Sequence, residues 1–213
     1  MEMSNERLDA ISVLAHEYFS LQNQAREQAL PLCRKMIQNS GNAIRAAHRR
    51  DPDAARQLLE SNRALNGQLL AAVAESDTMR NAGFIHDAQK EYAEASITFA
   101  LIQNIALPEA DALGVSTPAY LNGLGETVGE LRRFILDSLR RGDTSRCEEL
   151  LDTMDDIYGI LMAMDYPETV THGLRRNSDA ARGIIERTRG DLTNALRQDA
   201  LEQRLAEFEG RIC

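Results

Sequence analysis

The chain has 213 residues, a formal charge of −9, 27% charged residues, 5% aromatic residues and no tryptophan. That acidic balance argues against nonspecific binding to duplex DNA, which is electrostatic, but leaves room for a local basic surface. Scarce aromatics argue against a base-stacking sheet of the RNA-recognition or OB type, and so against sequence-selective readout. Ala, Leu, Glu, Arg and Gln dominate, and no segment alternates like a strand, so the expectation is a single all-α domain over 1–213.

The first apolar-periodic segment runs from about Asn5 to Arg50, with Leu8, Ile11, Leu14, Tyr18 and Leu21 and then Leu32, Met36, Ile44 and Ala47. Pro31 lacks a backbone donor and predicts a kink or a fresh helix start. Asp51-Pro52 reads as an N-cap and first helical position for a helix to about Glu75. A third helix is expected from about Met79 to Leu107, then a loop over Pro108–Pro118. Ser116-Thr117-Pro118 caps a helix carrying Leu124, Val128, Leu131 and Ile135, which ends at Arg140-Arg141-Gly142-Asp143. Another helix holds Leu150, Met154, Ile157 and Leu161. Tyr166-Pro167 breaks the chain, a long helix starts near Glu168, and a terminal segment covers Ala200–Glu209. The sum is a bundle of six or seven helices. Broad apolar stripes suit either burial within one bundle or packing against another subunit.

Within the third helix, Phe84, Ala88, Tyr92, Ala95, Phe99 and Ile102 share the 3.6-residue period and should face the core. Asp87, Glu91 and Glu94 fall on another side, and Glu91 and Glu94 stand ~5–6 Å apart at Cβ. The plain reading is a solvated acidic face beside Lys90. The chemical reading is a pair of acids that share a divalent cation with a third. Two further acidic groups are Asp152, Asp155 and Asp156, and the pair Glu126 and Glu130, where Glu130 suits a salt bridge. His16, His48, His86 and His172 are isolated, and no HExxH, Walker loop, GxGxxG or GxSxG motif occurs. Cys33, Cys147 and Cys213 form no CxxC pair, which suggests a reducing compartment and no structural zinc. Hard oxygen ligands would favour Mg2+ or Mn2+. With no membrane-length apolar run and no leader pattern, a cytoplasmic protein is expected.

Several stretches, in order, resemble the translin/TRAX family over roughly residues 30–195. They are Cys33-Arg34 through Ser40 to His48-Arg49, Gln89 to Ala95 with its Glu-Tyr-x-Glu-Ala core, Gly129-Glu130-Leu131-Arg132-Arg133 with Gly142-Asp143, Leu150 to Tyr158, and Tyr166-Pro167 with Leu174-Arg175-Arg176 and Asp179. The resemblance implies an all-α fold and a hollow, octamer-like homo-oligomer. TRAX-type members are metal-dependent endoribonucleases acting on single-stranded RNA; translin-type members bind single-stranded RNA or DNA without cleaving it. Carried over, the metal-binding and catalytic acids are Glu91, Glu94 and Asp156, with Asp155 adjacent to the last. Arg34, Arg45, Arg49 and Arg80 are the candidate RNA-backbone partners.

Overall fold

A computed structural model describes residues 2–212, with side chains for 7–208 and Gly210. The helices are α1 (Glu2–His48), α2 (Pro52–Ala72), α3 (Asp77–Arg80), α4 (Gly83–Gln103), α5 (Ala110–Leu113), α6 (Thr117–Leu139), α7 (Cys147–Met162), α8 (Glu168–Thr171) and α9 (Leu174–Ile212). Six are long and three are single turns, with no strand among the described residues. Starts are set by capping: Asp51 accepts from the Ala54 amide, Ser76 from Met79 and Ser116 from Ala119.

Several boundaries differ from the sequence expectation, three of them for reasons the structure shows. Pro31 does not restart the first helix, because α1 runs through it. The carbonyl it leaves without an amide belongs to Glu27, and both residues face solvent, where water can satisfy it. The helix expected from Met79 begins at Gly83 instead, because Ser76 caps a separate turn, α3, first. The last helix begins at Leu174: His172 (φ 52°) and Gly173 (φ 84°) are left-handed and cut off α8, after which α9 continues unbroken through 200–209.

α4 lies at the centre, packed against α1, α2 and α6. Thirteen of its 21 residues are buried, among them the expected Ala88, Tyr92, Ala95, Phe99 and Ile102, and also Ile97. A helix buried on so many sides belongs inside a bundle. Each large buried side chain contributes roughly 1.5–3 kcal/mol of burial. α2 returns antiparallel along α1, where Asn62 donates to Met36 O (3.1 Å) and Ser40 Oγ (2.9 Å). α6 runs alongside α4, and α9 alongside α6, where Arg132 bonds Thr188 and Asp191 (2.8 Å).

Two ends leave this core. Leu8, Ile11, Val13, Leu14, Tyr18, Phe19 and Leu21 of α1 are exposed, and so are Leu201, Leu205 and Phe208 of α9. The α1 extension departs beside α3, at the N-terminal end of α4. The α9 extension departs past the C-terminal end of α6, so the two project from opposite ends of the bundle. Among the described residues no helix is long and apolar enough to cross a membrane.

Candidate metal centre

A close crossing of α4 and α6 sets the site. A Cβ on Gly123 of α6 would stand 2.7 Å from the Lys90 carbonyl oxygen and 2.8 Å from the Glu94 nitrogen of α4. Only hydrogen fits there, so the two backbones meet directly. Three residues further along α6, on the same face, Glu126 is brought against the carboxylates of α4. One carboxylate oxygen each from Glu91, Glu94 and Glu126 lies within 4.8 Å of the others, the sole group of this kind among the described residues.

These acids are not a solvated face. Glu94 is only 9% exposed, and it has no ion pair among the described residues. Burial first, and then the charges of Glu91, Glu126 and Glu130, push its carboxyl up to about 8, with Lys90 opposing. Glu91 is raised as well, by burial and then by Glu126 and Asp87 against the pull of Lys90. Lys90 sits between the helices, 2.8 Å from Glu126 and 3.5 Å from Glu91. Burial pulls its ammonium down, but the Glu126 hydrogen bond and the surrounding carboxylates outweigh that and hold it above the ordinary lysine value. Three acids against one base leaves a crowded, under-compensated negative pocket.

Glu130, one turn beyond Glu126, behaves differently. Its carboxylate meets His48 Nε2 at 2.5 Å and Arg133 at 3.6 Å. The His48 hydrogen bond holds Glu130 below the usual carboxylate range despite its partial burial. The salt-bridge role read from the sequence holds for this residue. His48 Nδ1 is buried and has no partner among the described residues.

Asp156 is the expected site residue that the structure leaves out of this group. α7 buries Leu150, Met154, Ile157 and Leu161, which turns Asp156 to the exposed side. Its neighbour Asp155 pairs with Arg189 of α9. The acid that joins Glu91 and Glu94 is Glu126. The sequence signal for it was Gly123 one turn upstream, a residue without a side chain on an otherwise well-filled helix face.

The four arginines do not converge. Arg34 and Arg45 lie on the exposed side of α1, with Arg45 bonded to Asn42, and Arg49 is exposed in the turn after it. Arg80 is tied to Asp77 (3.4 Å) and to the Ala74 carbonyl at the end of α3.

No family model matches the chain. A protein of Methanocaldococcus jannaschii is 28% identical over 208 residues, which cover 95% of this chain and 90% of that one. Among solved structures, AfC3PO in complex with duplex RNA matches with a TM-score of 0.76 and 31% identity over 93% of this chain and 98% of its own. The chain belongs to the translin/TRAX family. A further solved structure, apo-NeC3PO, shares the fold at a TM-score of 0.75 and 22% identity, over 87% of this chain and 96% of its own. The translin/TRAX-like all-α bundle is therefore the frame in which α4 and α6 hold their carboxylates.

Proposed function

We propose that this protein is a metal-dependent endoribonuclease that cleaves single-stranded RNA within a hollow homo-oligomer. The observation that carries the reading is the convergence of Glu91, Glu94 and Glu126 on one point with too little positive charge to balance them. The donor set fits a hard divalent cation, Mg2+ or Mn2+: three carboxylate oxygens, with no sulfur or imidazole among them. Such an ion polarises a phosphodiester and acidifies bound water.

The chain's own residues then have defined tasks. Glu94 gives up its proton when a cation is held and supplies the buried anchor. Glu91 and Glu126, each partly open to solvent, face the substrate side. Lys90 is placed to shift from Glu126 towards a phosphate oxygen. Arg34, Arg45, Arg49 and Arg80 offer guanidinium forks to the RNA backbone. AfC3PO was solved with duplex RNA, which supports RNA as the ligand class here. The exposed apolar ends of α1 and α9 support assembly, because patches of that kind mark protein contacts.

Lys90 favours a second reading. An ammonium already bonded to two of three acids suits a translin-like protein that binds single-stranded RNA or DNA without cleaving it. One assay separates the two. Purified protein is incubated with labelled single-stranded RNA in Mg2+, Mn2+ or EDTA. Internal cleavage that EDTA stops, and that Glu94→Gln removes, supports the nuclease. Binding with no cleavage in either metal establishes the second reading. Solution mass tests the assembly, and a monomer rejects the enclosed site.

A further inference from the structure

One pair of residues far apart in sequence meets face to face beside the acidic cluster. The rings of His86 on α4 and His172 at the α8–α9 corner stack with centroids 4.4 Å apart and planes 16° from parallel. His172 is exposed to solvent, and the His86 ring lies against one of its faces. His172 holds a left-handed backbone (φ 52°) and is followed by Gly173 at φ 84°. Uncommon backbone of this kind in a residue other than glycine persists where the surroundings fix it. Asn122 of α6 does so, donating to the carbonyl of the preceding Thr171 at 2.8 Å and anchored in turn by Asn177 at 2.9 Å.

The stack is in line with the carboxylates. His86, Lys90 and Glu94 follow one another at spacings of four along α4 and share a face. At 1.5 Å per residue, His86 lies about 7 Å along the axis from Glu91 and about 12 Å from Glu94. The same short stretch of α6 ties both parts: Asn122 holds the His172 corner, and Gly123 seats against Lys90 and Glu94.

We infer that the His86–His172 stack is a nucleobase platform, on which one base of a single strand stacks against His172 while the phosphates two to four nucleotides away reach the Glu91–Glu94–Glu126 cluster. The spacing follows from a rise of ~3.4 Å per stacked nucleotide. This rests on RNA being the ligand. Burial, His172 and Lys90 hold the His86 imidazole below its ordinary value, with Asp87 opposing, so His86 backs the stack as a neutral ring. Stacking is tolerant of base identity, because every base has a π face. The platform therefore supplies grip and register without sequence preference, in a chain otherwise poor in aromatic surface.

The test uses the full chain and a labelled single-stranded RNA in EDTA, so that binding is read without cleavage. His172→Asn removes the ring and keeps a residue that accepts left-handed backbone. It is expected to weaken binding about 5- to 100-fold, with the salt slope of binding unchanged because no phosphate contact is lost. His86→Phe keeps a ring and should retain affinity, whereas His86→Ala should lose it. One abasic nucleotide at the register position should weaken binding to the natural chain but not to His172→Asn. Thermal melts confirm that each variant is folded. Unchanged affinity in His172→Asn, a reduced salt slope, or equal losses for His86→Phe and His86→Ala would overturn the platform while leaving RNA binding intact. If the natural chain binds no RNA at all, the proposed function falls and the platform with it.

Discussion

Two acidic groups in this molecule look alike in sequence and differ in space. Glu91 and Glu94 on α4 meet Glu126 of α6 beside a glycine contact, with Glu94 buried, the other two half-buried, and Lys90 the one base among them. Asp152, Asp155 and Asp156 on α7 stand on or near an exposed face, and Asp155 is answered by Arg189. Carboxylates packed together at a cost to folding are what a cation site needs, and carboxylates already neutralised by neighbours are surface. The difference comes from what lies opposite each helix, since α4 is enclosed by three others while α7 offers one side to solvent.

The sharpest way to break this comparison is to remove one acid from each group. Glu94→Ala and Glu91→Ala are expected to lower cleavage of single-stranded RNA at least about 100-fold, while Asp156→Asn stays within a few-fold of the natural chain. Initial rates at saturating Mg2+ or Mn2+ read the outcome. A large loss in Asp156→Asn with normal rates in Glu126→Ala would reverse the assignment of the third acid.

Acid content alone did not separate the groups. The all-α bundle, the long helices and the Glu91/Glu94 pair were legible because helical periodicity and i,i+3 spacing are local properties. That Glu126 and not Asp156 lies beside that pair was not, because it depends on how closely α4 and α6 approach and on which side of α7 faces α6. His86 and His172 read as isolated for the same reason, since a left-handed corner 86 residues later brings them together. Pro31 misled in the other direction, because solvent at Glu27 removes the need for a break.

A stability measurement sharpens the contrast from its thermodynamic side. Glu94 keeps its proton up to about pH 8 in the folded chain, whereas an unfolded chain releases it near 4.5. Across that window the native state binds more protons than the unfolded one, so stability must fall as pH rises, by on the order of a few kcal/mol. Denaturant titrations between pH 5 and 9 should show this decline. Glu94→Gln should flatten it and be the more stable protein at pH 9. Millimolar Mg2+ or Mn2+ should restore the natural chain at high pH, because a ligand bound only to the native state stabilises it. A rising or flat profile for the natural chain would mean that Glu94 is not held as the cluster requires.

Gly123→Ala tests the contact that makes the cluster. Alanine gains up to about 1 kcal/mol of helix propensity over glycine. Its Cβ would meet backbone atoms of α4 at 2.7 and 2.8 Å, where no side-chain rotation offers relief. Overpacking of this kind costs about 1–3 kcal/mol, so the net effect is a loss, seen as a lower melting temperature. Cleavage should fall further than stability does, because separating the helices carries Glu126 away from Glu91 and Glu94. Gly159→Ala is the control, since nothing lies within 4 Å of its added Cβ. Equal melting temperatures for the two variants would reject the close crossing.

The smallest effect belongs to the α7 group. The Arg189–Asp155 pair is about half exposed on both sides, where water screens the attraction and two long side chains lose freedom in forming it. A double-mutant cycle with Arg189→Ala and Asp155→Ala should return a coupling of roughly 0.2–1 kcal/mol, diminishing as salt is added. Cleavage should be indifferent to all three variants. A coupling of several kcal/mol, or a metal dependence that shifts with Asp155→Ala, would show that α7 carries more than a solvated ion pair and that the two acidic groups work together.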